Sequence, residues 1–275
     1  IKDANRSTIS KTRIVAGGRT TVSQQIVRVD KESKEPMGKA QEQQLEEYLK
    51  QVLPQVKGVV LSDYGSGTIT DKLLGQIFAY CQEHNIPTIV DSRYDILRFK
   101  TVDYIKQNDA ELSAAIGRDL ATEEELVQGG CELLLKMSAK GALITRGEDG
   151  MSLFQIISPQ EAADYVKSQE ASGSGEAGQF REGLTVKLVV KRQTGRLSVV
   201  QELISYQDRD ILVSHIPVTD KSEVYDVSGA GDTCVATVIL GLAAGLEPLL
   251  ACQLSNEASG IAVRKMGTSV VYARE

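Results

Sequence analysis

Apolar positions along this chain follow two rhythms: short continuous runs, and longer stretches in which they recur every three or four residues. Gly58-Val59-Val60-Leu61-Ser62, Thr88-Ile89-Val90, Tyr104-Ile105-Lys106 and Ala142-Leu143-Ile144-Thr145 are of the first kind, as strands covered on both faces should be. The second run leads into Asp91, the third into Asn108, and the turn Gly147-Glu148-Asp149-Gly150 follows the fourth. Of the second kind is the stretch from Thr70, a helix cap, to His84, with Leu73, Leu74, Ile77, Phe78 and Cys81 facing inward. Thr122-Glu123-Glu124-Glu125 has the form of a capping box and predicts a helix running to Met137. From Met37 to Val52 the chain is polar except for Leu45, Leu49 and Val52, a narrow amphipathic helix that continues to Leu53 and stops at Pro54. Strands alternating with helices imply an α/β fold around a mostly parallel sheet with right-handed crossovers.

The two ends and the middle depart from this rhythm. Ile9 to Val15 and Gln25 to Val29 are β-branched runs separated by Gly17-Gly18 and polar residues, and they predict a lid-like pair of strands. Between Gln155 and Tyr206 the pattern changes. Ala171 to Gly178 is rich in Gly, Ser, Ala and Glu and reads as a flexible linker. The runs Thr185–Val190 and Arg196–Val200 flank Gln193-Thr194-Gly195 as a hairpin would, which suggests a surface insertion remote from the chemistry. Further on, Ile211-Leu212-Val213 predicts a strand and Tyr225 to Asp232 a turn. Helices are expected over Thr233–Ala244 and Pro248–Lys265, the second stopped by Gly267. The resulting division is 1–36 as a lid-like β segment, 37–155 as α/β core, 156–205 as an insertion and 206–275 as the remaining core.

Composition narrows the function classes. The 275 residues suit one large domain. With 31 Lys and Arg against 37 Asp and Glu, the net charge of −6 argues against nucleic acid as a partner. No apolar run approaches the roughly 20 residues of a membrane-spanning helix. Cys81, Cys131, Cys234 and Cys252 are far apart, form no Cys-x-x-Cys pair and suit a reducing, cytoplasmic compartment. Two histidines, His84 and His215, supply no His-rich metal site and read as surface residues near element ends. The chain opens on Ile1 without a signal-peptide pattern, as a piece of a longer protein would.

The segment Asp226-Val227-Ser228-Gly229-Ala230-Gly231-Asp232-Thr233 carries the strongest chemical signal. Its glycines permit a sharp turn and close approach of a ligand, and the helix that follows would aim unpaired N–H groups at one point favourable to anions. A carboxylate there, Asp232, could take a proton from a hydroxyl attacking a phosphoryl group. A plain glycine turn with Asp232 favoured by the helix dipole fits the local pattern equally well. Asp63 and Asp91 end buried strands, where open α/β sheets bind ligands. Asp91 is open to two roles, holding magnesium-bound water or capping a turn. Asn108 and Glu111 lie one helical turn apart. Arg93 reads as a solvated arginine or a phosphate contact, and Arg13, Arg28 and Asp30 as sugar-phosphate contacts from the lid. No Gly-x-x-x-x-Gly-Lys-Ser/Thr, Gly-x-Gly-x-x-Gly or Gly-x-Ser-x-Gly element is present where P-loop, dinucleotide or hydrolase chemistry would need it.

Asp226 to Ala236 resembles the C-terminal signature of the ribokinase-like (PfkB-type) carbohydrate kinases. Asn108-Asp109-Ala110-Glu111 resembles that family's Asn-x-x-Glu element, and Thr145-Arg146-Gly147-Glu148-Asp149-Gly150 its nucleotide-contacting turn. Asn256 and Lys265-Met266-Gly267-Thr268 resemble its adenine-side elements. Thr8–Lys11, Gln25–Asp30, Leu61–Gly65, Gly150–Leu153 and Val224–Asp226 are similar to the kinase half of the bifunctional heptose-7-phosphate kinase/adenylyltransferases. The resemblance implies a three-layer α/β/α fold and ATP-dependent phosphorylation of a sugar or sugar phosphate, heptose 7-phosphate included, in the cytoplasm. It implies Asp232 as catalytic base, an anion hole at Gly229, Ala230 and Gly231, and Mg2+ organised by Asn108 and Glu111. Thr145, Gly147, Gly150, Asn256 and Gly267 would meet the nucleotide; Arg13, Arg28 and Asp63 would meet the sugar. A monovalent cation and a homodimer stand as further expectations. The pattern departs at Ser66 and Arg93, where those heptose kinases carry lysines, at Gln107 in place of proline, and in the 156–205 segment. The family's first strand, sugar-binding Asp and Gly-Gly-x-x-Asn element have no counterpart in these residues, nor does an adenylyltransferase half. These departures motivate a second reading, a non-catalytic nucleotide-binding or regulatory relative.

Overall fold

The structure is a computed structural model that describes residues 1–17, 24–33, 35–178, 180–181, 183–194, 197–219 and 224–275. Gly18 and Gly195, placed in turns by the sequence, lie outside the described residues. Strands β1 (Ser10–Ala16) and β2 (Gln24–Lys31) pair antiparallel in a two-stranded sheet of their own. Its residues alternate between an apolar face, with Ile14, Val27 and Val29 all exposed, and a charged face that carries Lys11, Arg13, Arg28 and Asp30.

Helix α1 (Lys39–Val52) ends in a short 3-10 turn over Leu53–Gln55, where Pro54 stops it as expected. Strand β3 (Val59–Asp63) then opens the main sheet. After it come α2 (Asp71–Glu83), β4 (Thr88–Ser92), β5 (Tyr104–Asn108), α3 (Asp109–Ile116), α4 (Glu123–Met137) and β6 (Gly141–Thr145). The local chemistry that predicts these elements is visible at their ends. Thr70 accepts the N–H of Leu73 at 3.4 Å. Thr122 and Glu125 exchange bonds of 3.2 and 2.9 Å in a capping box.

The remaining strands are β7 (Met151–Ile157), β8 (Gly175–Ala177), β9 (Phe180–Arg181), β10 (Leu184–Thr194), β11 (Leu197–Tyr206) and β12 (Arg209–Ile216). The main sheet runs in the order β3-β4-β5-β6-β7-β12-β11-β10-β8, with β9 also on β10. Neighbours from β3 to β6 are parallel and the rest antiparallel. Two faces are covered. Leu74 and Ile77 of α2 and Leu126, Cys131 and Leu134 of α4 pack over Val90, Ile105, Ile144 and Phe154. On the other face, α6 (Ala230–Ala243) and α7 (Pro248–Ala262) pack Cys234, Val235, Val238 and Cys252 over Ile89, Leu143 and Leu153. Each such side chain contributes roughly 1.5–3 kcal/mol by leaving water. All four cysteines are buried and free. Among the described residues no helix is long and apolar enough to cross a membrane.

The structure corrects the middle of the sequence reading. Ala171 and Ser172 close α5 (Pro159–Ser172), Gly173 caps it in the left-handed region, and 175–177 form edge strand β8, so 171–178 is not a linker. Helix α5 starts at a third capping box, Ser158 with Glu161, and Ala162 packs on Leu188, Val190 and Leu203. His215 is not a surface residue: Val200 and Ser152 flank it in mid-sheet, and its Nδ1 lies 2.9 Å from Ser152 Oγ. The last two helices begin or end three residues earlier than expected, at Ala230 and Ala262.

Candidate active site

Two cavities meet at the first turn of α6. Gly229 caps this helix with φ of +84°, a left-handed conformation that favours glycine. The loop before it is pinned by Asp226, which accepts the N–H of Ser228 at 2.8 Å and of Gly267 at 3.1 Å. These backbone donors, Ser228 first, hold the Asp226 carboxyl below its ordinary range. Tyr225 and Asp226 in turn donate to Val263 O at the end of α7. Ala230 N–H is turned back onto Val227 O at 3.3 Å. Gly231 and Asp232, next in the helix, lack acceptors four residues back inside it, as first-turn donors do. Of the amides expected at an anion, Gly229, Ala230 and Gly231, that of Ala230 is thus engaged by the loop, while Gly231 and its neighbour Asp232 present first-turn N–H groups.

The larger cavity, about 450 Å³, lies to one side of Gly231. It brings together Thr145, Gly147, Gly150 and Asn256, four of the five residues expected at a nucleotide, along with Ala230. The fifth, Gly267, is spent on Asp226 and does not line it. Asn256 donates to Pro217 O at 2.7 Å and so fixes the wall that carries Val218 and Thr219. Thr219 Oγ1 is buried in that wall without a partner among the described residues. A buried hydroxyl left unpaired costs free energy until a ligand satisfies it. That orphan, the cavity's size and the first-turn N–H groups of α6 all fit a nucleotide.

The smaller cavity, about 180 Å³, lies on the other side of Gly231. Asp63, Asp91, Glu111 and Asp232 face it with Arg93, Lys106 and Tyr64. Asp91 and Lys106 are direct partners in the β4–β5 ladder and form an ion pair at 3.0 Å, with side chains 18% and 6% exposed. The contact found for Asp91 among the described residues is this ion pair rather than a turn cap. Burial raises the Asp91 pKa from its ordinary value, and Lys106 offsets part of that rise. Burial opposes the charge on Lys106 as well, but Asp91 and then Glu111 outweigh it and raise its pKa, so the ammonium persists at neutral pH. A Cβ added to Gly231 would stand 2.9 Å from Lys106 Nζ. The cation thus lies against the first turn of α6.

Other expected residues are placed differently. Asn108 Oδ1 accepts Glu111 N–H at 2.7 Å while Glu111 Oε2 accepts Asn108 N–H at 2.9 Å, a reciprocal cap of α3. Glu111 still faces the charged cavity; Asn108 does not line it. Among the described residues no group of three or more His, Cys, Asp or Glu side chains could hold a metal ion. A magnesium ion that arrives on nucleotide phosphates needs only one or two protein carboxylates, and Glu111 meets that requirement. Asp63 accepts from Gly65 N–H at 3.1 Å and Ser92 Oγ at 2.9 Å, which ties its carboxylate to the fold. Arg13 and Arg28 lie directly opposite each other on the charged face of the lid and line neither cavity. Arg28 donates twice to Asp30, at 2.8 Å each. Arg93 is exposed at the rim, 5.7 Å over the Tyr94 ring.

Sequence reasoning missed Lys106, Tyr64 and Thr219. A signal existed for the first, because a lysine closing an apolar strand run demands a buried partner. Tyr64 and Thr219 carry no such mark.

Known proteins resemble this chain in sequence and in fold. The model for the pfkB family carbohydrate kinases matches residues 6–171 and 203–273. The bifunctional protein HldE of Geobacter metallireducens is 32% identical over 275 residues, all of this chain and 44% of its own length. HldE of Hyphomonas neptunium is 32% identical over 98% of this chain and 44% of its length. The chain thus spans less than half of these curated relatives. Phosphofructokinase-2 of Escherichia coli, solved with potassium, superposes with a TM-score of 0.55 at 17% identity, over 90% of this chain and 62% of that one. Ribokinase of Arabidopsis thaliana, solved with ribose and ATP, gives 0.53 at 16%, over 94% and 64%. These structures share the three-layer α/β/α fold, and with the family model matching both halves that build the paired cavities, this chain belongs to the pfkB family of carbohydrate kinases.

Proposed function

We propose that this chain is a kinase unit that moves the terminal phosphoryl group of ATP onto a hydroxyl of a sugar or sugar phosphate. The observation that carries the reading is the position of Gly231, which lines both cavities. A nucleotide in the larger cavity would present its last phosphate at the α6 N-terminus, with the acceptor in the smaller one. Asp232 takes the proton of the attacking hydroxyl. The acceptor oxygen bonds to phosphorus as the bond to the ADP oxygen breaks. The N–H groups of Gly231 and Asp232 and the Lys106 ammonium hold the charge spread over the transferred group. Mg2+, when bound, neutralises phosphate charge, and Glu111 is the carboxylate available to it.

Resemblance to the heptose-7-phosphate kinases makes a phosphorylated sugar the first acceptor to try. Arg13 and Arg28, on the charged face of the lid, are the cations such a phosphate would meet, with Arg28 already paired to Asp30. Four buried free thiols suit a reducing, cytoplasmic setting. The test is ADP release from ATP and Mg2+ with heptose 7-phosphate, fructose 6-phosphate and free sugars, for wild type and Asp232→Asn, alongside calorimetric titration of ATP. Loss of about 10²–10⁴ in turnover with ATP affinity kept is expected. Equal turnover in the variant refutes the role of Asp232. ATP binding with no sugar-dependent turnover in the wild type supports a non-catalytic relative instead.

A further inference from the structure

Tyr64 belongs to none of the roles assigned above, yet it is the side chain that touches the Asp232 carboxylate. Its hydroxyl donates to Asp232 Oδ1 at 3.2 Å, across 168 positions of sequence. The loop that carries it is fixed from below and from above. From below, buried Asp63 accepts the N–H of Gly65, which has φ of +68°, and also the hydroxyl of Ser92. From above, the segment joining the lid to α1 rests on the same loop. Arg6 donates to Ser66 O and to Ser33 O, and Met37 N–H donates to Gly67 O at 3.1 Å. A Cβ on Gly67 would come within 2.8 Å of Glu35 O. Lys11 of β1 places its ammonium 5.7 Å from the centre of the Tyr64 ring, and Asp30 and Glu32 hold that ammonium at 3.4 and 2.5 Å.

We propose that Tyr64 is a positioning residue that orients the Asp232 carboxylate, and that Lys11 carries the position of the β1–β2 lid to it. Of the two carboxylate oxygens, the hydrogen bond engages Oδ1 and leaves Oδ2 for the acceptor hydroxyl. A hydroxyl–carboxylate bond of 3.2 Å is longer than the usual 2.5–3.0 Å, as catalytic contacts often are before substrate tightens them. Burial, and then the nearby Asp232 charge, raises the Tyr64 pKa, so the phenol stays protonated and remains a donor through neutral pH. A cation over the ring couples the lid to this contact through the ring quadrupole.

The inference rests on Asp232 being the base, and the experiment separates the two. Turnover with ATP and heptose 7-phosphate, or fructose 6-phosphate should that be the acceptor used, is compared in wild type, Tyr64→Phe, Asp232→Asn and the double variant. Tyr64→Phe is expected to lower kcat on the order of tenfold, the effect of losing a hydrogen bond to a charged group, with both KM values within about twofold. In the Asp232→Asn background Tyr64→Phe should have no further effect. Lys11→Met should reproduce part of the kcat loss and none of it once Tyr64 is Phe. Additive losses, or wild-type kcat in Tyr64→Phe, overturn the proposal while leaving Asp232 as base. Wild-type turnover in Asp232→Asn overturns the base assignment itself. Crystal structures of wild type and Tyr64→Phe need no acceptor. An Asp232 carboxylate with the same rotamer and the same order in both also overturns the proposal; a rotated or disordered one supports it.

Discussion

The two cavities share one glycine and little else. The larger is lined mainly by small and apolar residues such as Gly147, Gly150, Met151 and Val227, and the donor left without a partner among the described residues is a neutral hydroxyl. The smaller has six of its eight lining residues drawn from Asp, Glu, Lys and Arg, a ratio that makes it a place for moving charge and protons rather than for burying a ring. Their difference follows from the strands beneath them. Polar ends of the parallel strands β3, β4 and β5 converge on the small cavity, as the carboxyl ends of parallel strands do in open α/β sheets. The large one opens between the β6–β7 turn and helices α6 and α7, where packing demands small residues. Damage to the charged side should therefore act on rate, and damage to the other side on nucleotide affinity.

The largest separation between the two is expected at Lys106. Lys106→Met removes a charge stabiliser, with an expected loss of about 10²–10³ in kcat. It also strands the Asp91 carboxylate, which costs about 3–5 kcal/mol of stability for a buried ion pair broken on one side. Adding Asp91→Asn should restore most of the stability and none of the turnover. Denaturant unfolding read beside kcat checks both halves. Recovery of turnover in the double variant would show the lysine to be structural only. A smaller effect is expected across the divide. Thr219→Val deletes the hydroxyl that has no partner among the described residues and should raise KM for ATP roughly fivefold, equivalent to about 1 kcal/mol, with kcat and sugar KM unchanged. A change in kcat as large as that in KM would erase the distinction between the cavities.

How much of this was legible in the sequence follows from how far apart the interacting residues lie. Thr70 and Thr122 announce their helices because a cap bonds to an amide three residues on. Gly229 to Asp232 were legible as a local glycine turn opening a helix, without a side-chain cap. Helix α5 was missed although Ser158-Pro159-Gln160-Glu161 carries both a capping box and a proline at the first helical position. The Gly- and Ser-rich stretch after it suggested a linker, where β10 in fact recruits 175–177 as an edge strand. Lys106 and Asp91 are 15 residues apart and meet only through parallel ladder register; Tyr64 and Asp232 are 168 apart and meet only through the fold. No local pattern encodes either pair. Asn108 shows the converse: its spacing to Glu111 resembles a metal motif, and in the structure the two residues also cap α3 reciprocally.

The smallest effect concerns the loop that serves both cavities at once. Asp226 holds it through two backbone N–H groups, and those bonds favour the charged carboxylate in the folded state. A carboxyl with a depressed folded pKa contributes its full stabilisation above the ordinary value of 3.8 and loses it as pH falls through the folded value. Asp226→Asn keeps the shape and one acceptor but not the charge. At pH 7 the variant should melt on the order of 2–4 °C below wild type, about one hydrogen bond's worth in a chain of this size. As wild type is acidified below 3.8, its advantage should shrink, because the protonated carboxyl and the amide then offer the loop similar acceptors. Calorimetric melting of both proteins between pH 7 and pH 3 reads this directly. A gap that stays constant with pH would mean that the loop is held by shape alone. Since the loop ends at the shared helix turn, the variant should also weaken ATP binding and turnover together, which neither Lys106→Met nor Thr219→Val should do.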